Sequence, residues 1–316
     1  MKVQPFAAPQ HATNPKVGYL FAALNAVVSG IAIYVNSQGV KLFSDATLYT
    51  TLKNAVTGLV LLLPVLFLAR CRNELRRLDP RQWGWLLLLA LIGGSIPYLL
   101  FFRGLQLTTP VTSSVLNHAQ FLLVAVLALL FLRERVGLAV WAALAVLFVG
   151  ASLGANLHAL RWNEGAWLLA LSTLFFAAGV VLAKRLLSTL SMETVMAAKM
   201  SLGSVFLLAY VAATGRVTAI GVLSGAQWRF VLVTGLILLA FTVTAFVALR
   251  HIPATTATAI PVAAPLITAA LVAINSGALT LRISDVAGLT LMVVAVAAIV
   301  FVGLRREPRI GNVGVA

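Results

Sequence analysis

Ten runs of about 20 apolar residues follow one another between residues 17 and 304, each long enough to cross a hydrocarbon core of ~30 Å at 1.5 Å per residue. A chain built this way has too little polar surface to cover such runs in water. Of its 316 residues 61% are hydrophobic and 10% charged, against roughly 45–50% and 25% in a soluble domain. The expected class is an all-α integral membrane protein, with the lipid bilayer as its first partner. Hydropathy places spans at 17–37, 45–69, 83–106, 109–131, 137–157, 165–187, 193–213, 228–249, 254–275 and 284–304, joined by short connections. Residues 1–16 are polar, carry Pro5, Pro9 and Pro15, and read as a tail without the apolar core and cleavage site of a signal peptide; residues 305–316 read as a second tail.

A net charge of +15 would suggest nucleic acid in a soluble protein. Here the basic residues sit between apolar runs, which sets the nucleic-acid reading aside. Counted by alternate connections, fifteen Lys and Arg fall on the side of the N-terminus and six on the other, a bias that predicts both termini in the cytoplasm. The remaining two of the 23, Lys53 and Lys199, stand inside spans. Cys71 is the only cysteine, so neither an internal disulfide nor a multi-cysteine metal cluster can form. Its neighbours Arg70 and Arg72 could lower its pKa, but it reads as a bystander thiol.

The two lysines inside spans expose a repeat. "LKNAVTGLVLLL" in span 2 matches "AKMSLGSVFLLA" in span 7, with Lys53 and Lys199 146 residues apart. At an offset of 144, "LQLTTPVTSSVLNHAQFLLVAVLALL" of spans 3–4 matches "LRHIPATTATAIPVAAPLITAALVAI" of spans 8–9. Five spans per copy is an odd number, so the second copy enters the bilayer from the opposite side. Such inverted repeats are a common construction of secondary transporters, with the substrate near the midplane between the halves.

Together these segments resemble the drug/metabolite transporter superfamily, in its ten-span EamA type. The first repeat covers 17–157 and the second 158–304. The most specific stretch is "TTPVTSSVLNHAQFLLVAVLALLFLRERVGLAVWAALAVLFVG", where Glu134 stands at the family's signature acid and Arg135 follows it. Pro265 falls where the family has a Pro-Val or similar pair, but two positions depart from the pattern: Gln120-Phe121 stands in the first copy where that proline is expected, and Ala278 stands in the second copy where Glu134 maps. The resemblance implies transport of small metabolites, commonly export of amino acids or related compounds, across a bacterial inner membrane.

Candidate site residues are the polar ones held inside spans, where facing lipid is costly. In span 2, Thr50, Lys53, Asn54 and Thr57 recur at i, i+3, i+4 and i+7 and share one helix face. Two readings of Lys53 stay open: it snorkels to the outer interface, or it faces a cavity and draws in a carboxylate. Lys199 is its counterpart from the other side. Span 4 carries Ser114, Asn117 and His118, of which only His118 titrates near neutral pH; interhelical glue is the alternative for the others. Span 1 offers Asn25 and Ser29, and span 9 offers Thr258 and Pro261, whose ring bends the helix. Tyr98 and Phe176 supply aromatic surface at similar depth.

No Asp or Glu lies deep in any span, which disfavours organic cations and favours a small-molecule substrate bearing a carboxylate. No GxxxxGK[ST] motif occurs, and no cofactor is implied. A lipid flippase on the same fold is the nearer rival. An intramembrane enzyme built on Ser114 and His118 lacks an orienting acid and an oxyanion motif, so no catalytic activity is expected. Nothing here separates a monomer from a dimer.

Overall fold

The computed structural model describes residues 14–39, 42–153, 162–276 and 282–305. The two expected tails, apart from Asn14, Pro15, Lys16 and Arg305, lie outside the described residues, as does Ala278. Among the described residues nine helices are long and apolar enough to cross a membrane. The tenth, span 5, is the shorter Leu138–Leu153; its expected last residues, 154–157, are outside the described set.

Local chemistry sets where the spans begin. Span 1 (Pro15–Gly39) opens on a proline, whose missing N–H costs nothing in a first turn. Span 2 (Ala46–Phe67) is capped by Asp45, which accepts from Thr47 N and Leu48 N. A reciprocal Asp79–Gln82 pair starts span 3, and a Ser224–Gln227 pair starts span 8 (Gly225–His251). Span 6 runs Glu164–Leu186 behind Asn163, and span 10 runs Ile283–Arg305.

Four spans are interrupted, one of them, span 9, at the proline expected to bend it. Span 3 divides at Ser95 into Pro80–Gly94 and Ile96–Leu107. Span 4 is Pro110–His118, then Gln120–Leu127, then a π turn over Ala128–Leu132. Span 7 runs Met192–Ala197, passes a π turn at Ala198–Leu202 and continues as Gly203–Ala213. Span 9 is Ala254–Ala259, a 3-10 turn Ile260–Ala263 and Ala264–Ser276. Spans 4 and 9, which are repeat mates, both break near their middles.

The packing has the expected inverted symmetry. Span 1 lies on span 8 as span 6 lies on span 3, and spans 5 and 10 pack on one another. Spans 2 and 7 cross antiparallel: Leu48, Tyr49 and Leu52 share a cluster with Val211, Gly58 meets Met200 and Ser201, and Val65 shares a cluster with Ala197. Equivalent helices that run antiparallel require a two-fold axis in the membrane plane, so the fold is two inverted five-helix repeats.

Between spans 2 and 3 lies a short helix, Ala69–Arg77, that carries Arg70, Arg72, Arg76 and Arg77. It marks the basic face of the molecule, where spans 7 and 9 begin. Glu74 of this helix accepts from Ser191 N at 2.7 Å, from Ser191 Oγ and from Thr194 Oγ1 at 2.5 Å, tying the first half to the start of span 7.

Candidate functional site

Lys53 and Lys199 each stand seven residues past the start of their span, Ala46 and Met192, so each is about 10 Å in from opposite faces. Both are half-buried, and among the described residues neither has a carboxylate partner, unlike Arg70, which pairs with Glu193, and Arg216, which pairs with Asp45. Lys53 Nζ donates to Asn36 Oδ1 at 3.3 Å and sits 5.1 Å from the centre of the Tyr49 ring, while Tyr49 OH donates to the same Asn36 oxygen at 2.6 Å. Span 1 thus adds an amide to the ammonium of span 2. Tyr49 precedes Lys53 by four residues, a spacing that already places the two on one helix face.

The rest of the span 2 stripe is buried in protein. Thr57 Oγ1 donates to Lys53 O and to Gly235 O of span 8, and Asn54 Nδ2 donates to Thr50 O. Thr50, Asn54 and Thr57 are at most 2% exposed. Thr50 Oγ1 and Asn54 Oδ1 are left without partners, two buried polar atoms that hydrocarbon could not have satisfied either.

Lys199 lies on the π turn of span 7, a helix defect that is frequent at functional positions. Its Nζ is 5.6 Å from the Phe246 ring centre, and its Cε runs 3.6 Å from where a Cβ on Gly93 would stand. Gly93 abuts Gly179 across spans 3 and 6, and three residues before Gly179 the Phe176 ring meets Tyr98 edge-on at 5.0 Å. Lys199 and the Tyr98–Phe176 pair thus both flank the Gly93–Gly179 contact of spans 3 and 6.

Other candidates separate from this group. Asn25 is 2% exposed, and its Nδ2 donates to Phe241 O and Thr244 Oγ1 at 2.8 Å each, a tie between spans 1 and 8. Ser29 is half-buried on the same helix. Ser114 and Asn117 are exposed, whereas His118, at the break of span 4, is half-buried with Nδ1 enclosed and unpartnered. Thr258 is turned back onto Ala254 O and Thr255 O of its own helix, and Pro261 opens the break of span 9. Cys71 is fully buried, and burial, with Glu193 adding to it, pushes its thiol above the usual range. The flanking arginines do not activate it.

Sequence reasoning missed Tyr49, and it gave Glu134 no partner. Glu134 Oε1 accepts from Ala254 N at 2.7 Å, and Oε2 from Thr255 N at 3.3 Å and Thr255 Oγ1 at 3.0 Å. The acid's position in a turn is legible in the chain. A partner 120 residues away is not.

Two antiparallel five-helix halves, with interrupted helices and two lysines inside the spans, define a duplicated multi-pass membrane fold. The chain belongs to the EamA-like transporter family, whose sequence pattern matches residues 16–154 and 163–301. A solved structure titled only as the crystal structure of a protein shares 18% identity over 93% of this chain and 99% of its own, with a TM-score of 0.72, which speaks to the fold alone. No curated protein matches the chain.

Proposed function

We propose that this transporter exports small carboxylate-bearing solutes, amino acids among them, by rocking its two halves about a site between them. Export is the direction the resemblance implies, and a bacterial inner membrane, with the basic face and both termini in the cytoplasm, is the setting that fits the charge bias. The supporting observation is the pair of half-buried ammonium groups, Lys53 and Lys199, that lack a carboxylate within 4.0 Å among the described residues. A buried charge left unpaired is costly. A carboxylate on the passing solute would relieve that cost at each of two depths.

The test is counterflow into proteoliposomes, comparing each of a panel of amino and organic acids with its amide. Flux of acids but not amides supports the reading, and equal flux of both overturns it. Lys53→Met keeps the length of the stem and removes the charge. Flux per molecule of an accepted acid should fall about tenfold, as expected for one charge-assisted hydrogen bond, with the Tyr49–Asn36 bond left in place. Lys53→Arg should keep part of the flux, since the charge stays while the head becomes planar. Normal flux in both variants would make Lys53 an interface anchor.

A further inference from the structure

Near the basic face spans 4 and 9 are closed on one another; toward the opposite face these two spans part, although other helices of the two halves still meet there. Gln120–Leu127 of span 4 packs on Ala254–Ala259 of span 9, and Val124, Ala254, Ala257 and Ile260 share one buried cluster. Among the described residues no comparable packing joins the other ends of the same spans, Pro110–His118 and Ala264–Ser276.

The corner between spans 8 and 9 is gripped at both its poles. Glu134, reaching from the first half, takes the free N–H groups of Ala254 and Thr255 and the Thr255 hydroxyl. Lys184 of span 6 donates to Leu249 O at 2.5 Å and Ile252 O at 2.9 Å. Each group satisfies backbone atoms that a helix end leaves open, and each bond carries a full charge, which makes it the stronger kind.

Three substitutions remove this arrangement from the mirror-image corner between spans 3 and 4. At the repeat offset of 144, Ala278 replaces the acid, Pro110 replaces Ala254 and so has no N–H to offer, and Val111 replaces Thr255 and so has no hydroxyl. Span 4 starts instead on its own Thr109, which accepts from Thr112 N, and the neighbouring Thr108 hydroxyl is buried without a partner. Acceptor and donors are absent together, so closing that end cannot use the same contacts.

We propose that Glu134 is the latch of the basic-face gate, built once rather than twice, and that it makes the state closed at the basic face the resting state of the empty transporter. Opening toward the basic face then requires Ala254 and Thr255 to leave the carboxylate, a step with no counterpart at the opposite gate. This rests on the chain's being a transporter and not on the carboxylate substrate, and its test uses no substrate.

The measurement is thiol labelling by a small charged methanethiosulfonate in nanodiscs, on a Cys71→Ala background. Thr256→Cys, at a position 7% exposed beside the latch, reports opening of the basic face; Asn117→Cys, at an exposed position, reports the other end. With Glu134 present, Asn117→Cys should label fast and Thr256→Cys slowly. Glu134→Ala should speed labelling of Thr256→Cys about tenfold and slow that of Asn117→Cys. Thr255→Val removes one of the three bonds at nearly constant size, and should give a smaller change, about threefold, in the same direction. It carries the test if Glu134→Ala fails to elute as a folded monodisperse species. Wild-type labelling rates at both reporters in a folded Glu134→Ala, or in Thr255→Val where the former does not fold, would overturn the proposal.

Discussion

Gly94→Val is expected to leave less than about a tenth of the wild-type yield of folded, monodisperse protein, a cost of roughly 3 kcal/mol or more. A Cβ on Gly94 would land on the carbonyl oxygen of Lys199 and 3.2 Å from Gly203 Cα. A Cβ on Gly203 would in turn stand 2.8 Å from Gly94 O. Here backbone meets backbone, so no rotamer change can make room. Small residues that let backbones approach are the usual means of helix association in lipid, where apolar burial offers no preference for protein over acyl chains. Gly84→Val is the control, because nothing lies within 4 Å of its Cβ position. Its yield and melting temperature should match wild type. Equal loss in both variants would mean that valine disfavours the helices themselves and that the crossing is not tight.

The same crossing shows where sequence reasoning reached its limit. The apolar runs and the offset of 144–146 sufficed for ten spans in two inverted copies, because length and period are properties of a single segment. The break of span 3 at Ser95 was invisible, since Pro80–Gly94 and Ile96–Leu107 are both apolar and a Gly-Gly pair inside such a run signals close packing as readily as a bend. The π turn under Lys199 left no mark in the sequence either. It appears where Lys199 O meets Gly94, a contact between residues 105 positions apart.

For the span 2 stripe, a period of 3.6 established that Thr50, Asn54 and Thr57 share a face but not what that face meets. The structure presses them against protein, with Thr57 on Gly235. Asn25 illustrates the same limit: a lone amide in an apolar span is equally suited to binding a solute or a neighbouring carbonyl, and here it holds Phe241 O. Glu134 is the converse, a residue whose type and place were plain and whose work depended on donors brought to it by the second half.

Lys199→Met should reduce the flux of an accepted carboxylate solute more than Lys53→Met does, by about a hundredfold, while folded yield stays the same or rises. The ordering follows from surroundings. Lys53 already has an oxygen acceptor in Asn36 and an aromatic face in Tyr49, so its charge is partly served by the protein. Lys199 has the Phe246 face at 5.6 Å, and among the described residues no acceptor stands within hydrogen-bonding distance of its ammonium. A solute carboxylate arriving there would supply the oxygen acceptor that Asn36 already gives Lys53; two decades of flux correspond to ~2.7 kcal/mol, within the range for a hydrogen bond to a charged group. Yield should not suffer, because removing an unpaired charge from a membrane span relieves an insertion cost that is ~2.5–3.5 kcal/mol at the bilayer centre and smaller at the depth of Lys199. Lys199→Arg should rescue less than Lys53→Arg does. The lysine stem already fills the gap beside Gly93, where a planar guanidinium needs more width. Counterflow per molecule of reconstituted protein measures all four variants. Undiminished flux in Lys199→Met would remove this lysine from the transport path and leave the π turn as a packing defect imposed by Gly94.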